Sequence, residues 1–299
     1  MASSSQHNPG LLVPSELGTK EYWNALYTRE LSNHASNPDD IGTVWFDDSD
    51  AESKMVQFLD ALSESQSQSR SPSSSLPILP KHTTSILDLG CGNGSMLFSL
   101  REQEDWSGRA LGIDYSPQSV ALAKQISRSM TVVETETQED DATAVEFSEW
   151  DIIAGPYSTV LNGAQESGWD VVLDKGTFDA ISLSDEQAHG RRLCELYCHR
   201  VLPLVRKGGI FLITSCNWTE EELANWFVAK KEDAAAATAA DNNNNNNDDN
   251  SGNSNNNNNS NNNSNGKGVF VVAGRVEHRT FSFGGAKGQT ISTMCFRKV

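Results

Sequence analysis

From Ser85 onward, short apolar runs alternate with stretches in which apolar residues recur every three or four positions. That is the pattern of strands exchanged with amphipathic helices. The runs predict strands over Ser85–Leu89, Arg109–Asp114, Ala144–Phe147, Trp169–Asp174, Gly209–Ser215, Val269–Ala273 and Thr290–Arg297. Ser116–Arg128 carries Val120, Leu122, Ala123 and Ile126 behind a Ser-Pro start, which predicts a helix with proline in its first turn. Glu186–Val205 repeats Leu193, Leu196, Tyr197, Val201 and Leu204 and is stopped by Gly208-Gly209, which predicts a second helix. Between the last two strands, Ser282–Gly288 holds three glycines and no helical period, so these strands are expected to form a hairpin. The order predicts an α/β fold: a doubly wound, mostly parallel seven-stranded sheet with an antiparallel last strand.

Three segments fall outside this pattern. Residues 1–10 read as a disordered tail, 63–80 as a polar insertion rich in serine, and 234–267 as a disordered insertion of alanine followed by Asn, Asp and Ser repeats. The last offers too little apolar area to offset its ordering entropy, and the second reads as a flexible connection into the next strand. Residues 11–299 are otherwise expected to form a single domain. Hydrophobic content is 37%, and these segments account for most of the deficit. With 23 basic and 40 acidic residues the formal charge is −17, which disfavours a grip on nucleic-acid phosphates. No apolar run is long enough to cross a bilayer and the first residues do not form a secretory leader, so a soluble, cytoplasmic protein is expected. Five cysteines at irregular spacing suit a reducing compartment. Cys194, Cys198 and His199 lack the further ligands of a closed zinc site, so no metal is expected.

The chemistry concentrates in Ile86–Leu97, where a strand runs into Gly90-Cys91-Gly92-Asn93-Gly94 and then into a helix. Such a loop brings backbone close to a nucleotide. Asp114 ends the next strand, where its carboxylate can accept hydrogen bonds from ribose hydroxyls. Two departures argue against a dinucleotide. The sixth position of the loop is Ser95 in place of glycine, and Asp88 stands two residues before the first glycine, where it repels a pyrophosphate. A carboxylate there attracts the ammonium and sulfonium of S-adenosylmethionine. Asp151, after the third strand, is a candidate for the adenine amino group, with Trp150 or Ile152 covering the ring, or else one solvated charge in an acidic loop.

Beyond the fourth strand lie Asp174, Lys175, Thr177 and Phe178, which are expected to face the methyl-donor end of the ligand. Asp174 is a candidate to orient an acceptor ammonium. Phe178 and Trp218 are candidates to line its channel through cation–π contact, or else to cap the sheet edge. Asp179 reads either as a supporting residue or as a helix cap.

Beyond this reading, Pro14–Trp23, Val44–Phe46, Ile86–Gly94, Asp174–Ile181, Thr214–Trp218 and Phe283–Gly285 give the chain a resemblance to a known family. It resembles the seven-β-strand S-adenosylmethionine-dependent methyltransferases of Rossmann-like class I. Within them it resembles the lysine methyltransferases, in their fungal form, that act on translation elongation factor 1-alpha. The resemblance implies a lid made of the helix around Glu21–Glu30 with Trp45 and Phe46. It also implies that Asp88, Gly90 and Asp114 hold the cofactor, with Gly92, Asn93, Asp151 and Trp45 as further candidates to contact it. The substrate it implies is elongation factor 1-alpha, with no nucleic-acid or membrane partner and a monomeric enzyme. On the residues alone, Tyr22, Trp23, Leu26 and Tyr27 form an apolar helical stripe that ordinary packing also explains. A small-molecule methyltransferase of the same fold and a non-catalytic cofactor-binding protein remain the alternatives.

Overall fold

The computed structural model describes residues 10–63, 76–134, 144–228, 268–283 and 286–299. The expected tail over 1–9 and the asparagine-rich insertion lie outside the described residues, as does the 64–75 part of the polar insertion. At the edges of that insertion Ser63 and Leu79 are buried, and Leu79 N–H donates to Leu62 O at 2.8 Å.

Seven strands form the sheet: β1 Ile86–Leu89, β2 Ala110–Asp114, β3 Glu146–Glu149, β4 Trp169–Lys175, β5 Val205–Ser215, β6 Phe270–Val276 and β7 Ser292–Lys298. Their spatial order is β3-β2-β1-β4-β5-β7-β6. The first five are parallel, and β7 runs antiparallel between β5 and β6. The expected mixed sheet is therefore present. The last two strands pair antiparallel as expected, with a separate two-stranded hairpin, Thr280–Phe283 with Ala286–Gln289, inserted in the link between them. β3 lies two residues later than the apolar run suggests. Trp150 N–H donates to Asp114 O at 2.8 Å and carries the alignment with β2 to the end of that strand.

The helices are α1 Lys20–Ser36, α2 Ala51–Asp60, α3 Ser95–Glu104, α4 Pro117–Glu134, α5 Thr177–Ser182, α6 Leu193–Val201 and α7 Glu220–Phe227. α1 is opened by Thr19, whose hydroxyl accepts the Tyr22 N–H at 3.3 Å. α7 is opened by a reciprocal pair, Thr219 with Glu222. The helix expected from Glu186 starts only at Leu193. His189 and Gly190 both take positive φ and turn a small hairpin, Gln187–Ala188 with Arg191–Arg192, before it.

Strand alternation divides the core into two layers. Ile86, Val171, Leu173, Ile210 and Leu212 face Tyr27, Met55, Leu59, Met96 and Val120 of the layer built by α1 to α4. Leu87, Leu89, Val172, Phe211 and Ile213 face Phe178, Tyr197, Leu223 and Phe227 of the layer built by α5 to α7. This parity decides which side chains of β1 and β4 reach the site.

Candidate active site

The carboxyl ends of the central strands lie level, with Leu89 opposite both Ile113 and Asp174, and Asp114 opposite Glu149. Above them opens a cavity of about 440 Å³, walled by α1 and Trp45-Phe46 on one side and by Tyr115, Trp150–Ala154 and the α5 region on the others. A cavity of about 30 Å³ adjoins it beneath the glycine loop and is lined by Asp88, Gly90–Asn93, Tyr27, Thr43, Trp45 and Lys175.

The loop glycines take φ values of +63° at Gly90 and +56° at Gly92, a region closed to most side chains. Space is denied as well, by the protein itself. A Cβ on Gly90 would stand 2.1 Å from Thr177 Oγ1, and one on Gly92 would stand 2.8 Å from the Tyr27 hydroxyl. Thr177 is held there by donating to Leu89 O at 2.6 Å.

A segment crossing over the loop, residues 37–46, is tied down at three points. Glu30 accepts the Thr43 N–H at 3.0 Å and its hydroxyl at 2.6 Å. Asn93 donates to Ile41 O at 2.9 Å, and Lys175 Nζ donates to Trp45 O at 3.1 Å. Asn93 thus reaches the small cavity chiefly as the tether of this segment, with its side-chain oxygen accepting the Ser95 N–H at 3.1 Å. Trp23 and Tyr27 of the apolar stripe on α1 line the large cavity, and Trp23 packs edge-on against Trp45 with centroids 5.2 Å apart.

Asp88 and Lys175 project to the same face of the sheet, where Lys175 also meets Glu52 at 3.5 Å. Burial pushes the Asp88 carboxyl up to about 8, with Lys175 pulling it back toward the charged form. Burial also raises Asp114, against the stabilising N–H groups of Ser116 and Gly92 at 2.9 and 3.2 Å. Asp151 is exposed at the cavity wall. Its carboxylate accepts the Ile153 and Ala154 N–H groups at 2.7 and 3.2 Å. Trp150 lies beside it with its indole N–H bound to Pro156 O at 2.9 Å.

Three expected acceptor-site residues are placed elsewhere. Asp174 follows Val172 on the opposite face from Asp88, is fully buried, and accepts the Thr177 and Phe178 N–H groups and the Tyr197 hydroxyl. Phe178 is fully buried among Tyr197, Trp218 and Phe227, with centroids 5.3, 6.0 and 5.2 Å away. Trp218 donates to Ser182 Oγ at 3.2 Å. None of the three lines either cavity. One residue along β4 reverses the direction of the side chain, so Lys175 reaches the site and Asp174 supports the layer beneath it. Asp179, read as a supporting residue or a cap, lines the large cavity. Tyr27, Tyr115 and Glu52 also stand at or beside the site. Lys175 and Tyr27 already belong to segments the sequence singles out; nothing local carried a signal for Tyr115 or Glu52.

The site suits a nucleoside with a cationic head. Asp88 and Asp114 present carboxylates where a pyrophosphate would meet repulsion. The Trp45 indole N–H is buried at the wall of both cavities with no hydrogen-bond partner among the described residues, so a donor there awaits an acceptor.

Comparison with known proteins agrees with this chemistry. A family model described as a methyltransferase domain matches residues 80–273. The chain is 40% identical over 214 residues to protein-lysine N-methyltransferase EFM4 of Saccharomyces cerevisiae, covering 71% of this chain and 80% of the yeast protein. It is 41% identical over 221 residues to efm4 of Schizosaccharomyces pombe, covering 72% and 82%. To human EEF1A lysine methyltransferase 2 it is 33% identical over 229 residues, covering 76% and 80%.

Proposed function

The chain belongs to the S-adenosylmethionine-dependent protein-lysine N-methyltransferases, and from that premise we propose that its acceptor is a lysine of translation elongation factor 1-alpha. The observation that carries the proposal is similarity over most of the length of relatives named for that substrate. On this reading the enzyme works in the cytoplasm, as a monomer, without nucleic-acid or membrane partners. No described helix is long and apolar enough to cross a membrane.

When bound, S-adenosylmethionine supplies an activated methyl group on a positively charged sulfur. Asp88 would hold its ammonium, Asp114 its ribose, and Trp45 would donate to its carboxylate. Gly90 and Gly92 would bring backbone against it, and Asp151 with Trp150 would border its base. Trp45 and Phe46 would exclude water, and Lys175 keeps their segment closed through Trp45 O. An acceptor lysine enters as an ammonium and must lose a proton before its nitrogen can attack, and burial away from water lowers the pKa of an ammonium. Positioning then supplies most of the rate.

The test is incubation of the purified protein and tritiated S-adenosylmethionine with purified elongation factor 1-alpha, followed by mass spectrometry of its lysines. Label on a lysine of the factor is the expected result. Label confined to low-mass material from a lysate would redirect the enzyme to a small acceptor, and cofactor binding without turnover would make it a sensor.

A further inference from the structure

With Asp174 turned into the lower layer, the question is which carboxylate meets the incoming amine. Four line the large cavity: Asp114, Asp151, Asp179 and Glu186. Asp114 and Asp151 stand at the ends of β2 and β3, the side given to the adenosine. Glu186 is exposed in the turn after α5, with its N–H donating to Ser184 Oγ at 3.2 Å. Of these four, Asp179 is the buried one at the β4–β5 end, in the first turn of α5 and hydrogen-bonded to Ser215 at the tip of β5. It is 5% exposed, yet its residue borders the cavity together with Ala180, Cys216 and Asn217.

Its setting is built from the adjoining strand. Ser215 Oγ donates to Asp179 Oδ1, and Cys216 N–H donates to Oδ2 at 2.8 Å. Both donors come from outside α5, so the carboxylate is aimed by β5 and not by its own helix. The Cys216 thiol and the Asn217 N–H also act on this carboxylate, and burial raises it above the ordinary carboxylate range. Ile181, Leu183 and Leu193 line the same cavity and offer apolar surface to a methylene chain.

We propose that Asp179 is the acceptor-binding carboxylate, which receives a primary alkyl-ammonium at the β4–β5 end of the cavity and orients its nitrogen toward the methyl-donor end. The inference rests on the methyltransferase reading but not on the identity of the protein substrate. A charge-assisted hydrogen bond supplies direction as well as attraction.

The test uses the full chain saturated with S-adenosylhomocysteine, titrated with n-hexylammonium and with neutral n-hexanol and followed by ligand-observed NMR. The wild type is expected to prefer the ammonium by at least about tenfold, and Asp179→Asn to lose that preference while its affinity for S-adenosylhomocysteine stays within about twofold. Turnover on elongation factor 1-alpha by the same variant is expected to show a raised KM and a lowered kcat. Equal binding of the two probes by the wild type, or an undiminished preference in Asp179→Asn, overturns the proposal. Should Asp179→Asn fail to fold, Asp151→Asn combined with Glu186→Gln decides. Retained preference supports Asp179 and lost preference overturns it. A wild type that prefers hexylammonium but labels no elongation factor strikes the substrate reading and leaves Asp179 standing.

Discussion

The ionisation of Asp88 turns cofactor binding into a proton-release event. Without ligand its carboxyl is pushed up to about 8 by burial. An ammonium placed against it demands the charged form. At pH 7 a group with that pKa is about one-tenth ionised, so binding gives up roughly tenfold in affinity, ~1.4 kcal/mol, and releases about 0.9 proton. Affinity for S-adenosylhomocysteine should therefore rise with pH up to about 8 and level above it. Calorimetry at pH 7 in phosphate and in Tris, whose ionisation enthalpies differ, measures the released proton directly, and a titration series from about pH 6 to pH 9 gives the slope. Asp88→Asn should abolish both the slope and the proton release, and weaken binding about 10- to 100-fold through loss of a charged hydrogen-bond partner. The sign reverses for stability. The ordinary carboxylate of the unfolded chain ionises well below Asp88, so the buried acid disfavours the ligand-free fold increasingly as pH climbs toward 8. Asp88→Asn should accordingly raise Tm at pH 8 and leave it nearly unchanged in the ordinary carboxylate range. A flat affinity between pH 6 and pH 9, with no buffer dependence of the heat, would refute the assignment of Asp88 to the cationic head.

Trp45→Phe keeps an aromatic ring, though a smaller one, and removes the unsatisfied N–H; it should weaken S-adenosylhomocysteine binding about 3- to 10-fold by calorimetry, and unchanged affinity would mean the N–H serves water instead. Gly90→Ala forces a Cβ toward Thr177 Oγ1 at 2.1 Å in a backbone region that disfavours it, so a loss of about 1–3 kcal/mol or more is expected in denaturant titration. Phe178→Ala should cost about 3–5 kcal/mol of stability, while the folded protein keeps its affinity for S-adenosylhomocysteine. A loss of affinity with stability intact would return Phe178 to the cavity wall.

Read along the chain, the residues by themselves determined the strand–helix alternation, the mixed sheet, the glycine loop and the acidic positions at Asp88 and Asp114, because each is encoded by spacing within a few residues. Hydrophobic period reports burial, and a loop between a strand and a helix needs glycine wherever the chain turns through positive φ. The same local signals could not tell which acceptor-side candidates border the cavity. Asp174 and Lys175 are adjacent on a strand buried on both faces, where apolar runs carry no marker of which face is which. Only the packing of Val171 and Leu173 under α1 to α4, and of Val172 under α5 and α6, assigns Lys175 to the site and Asp174 to the layer below. The closure over the loop was likewise decided in three dimensions. Asn93 meets Ile41 across 52 residues, and Lys175 meets Trp45 across 130. Contacts at such separations arise from the winding of the sheet and leave no periodic trace in the amino-acid order.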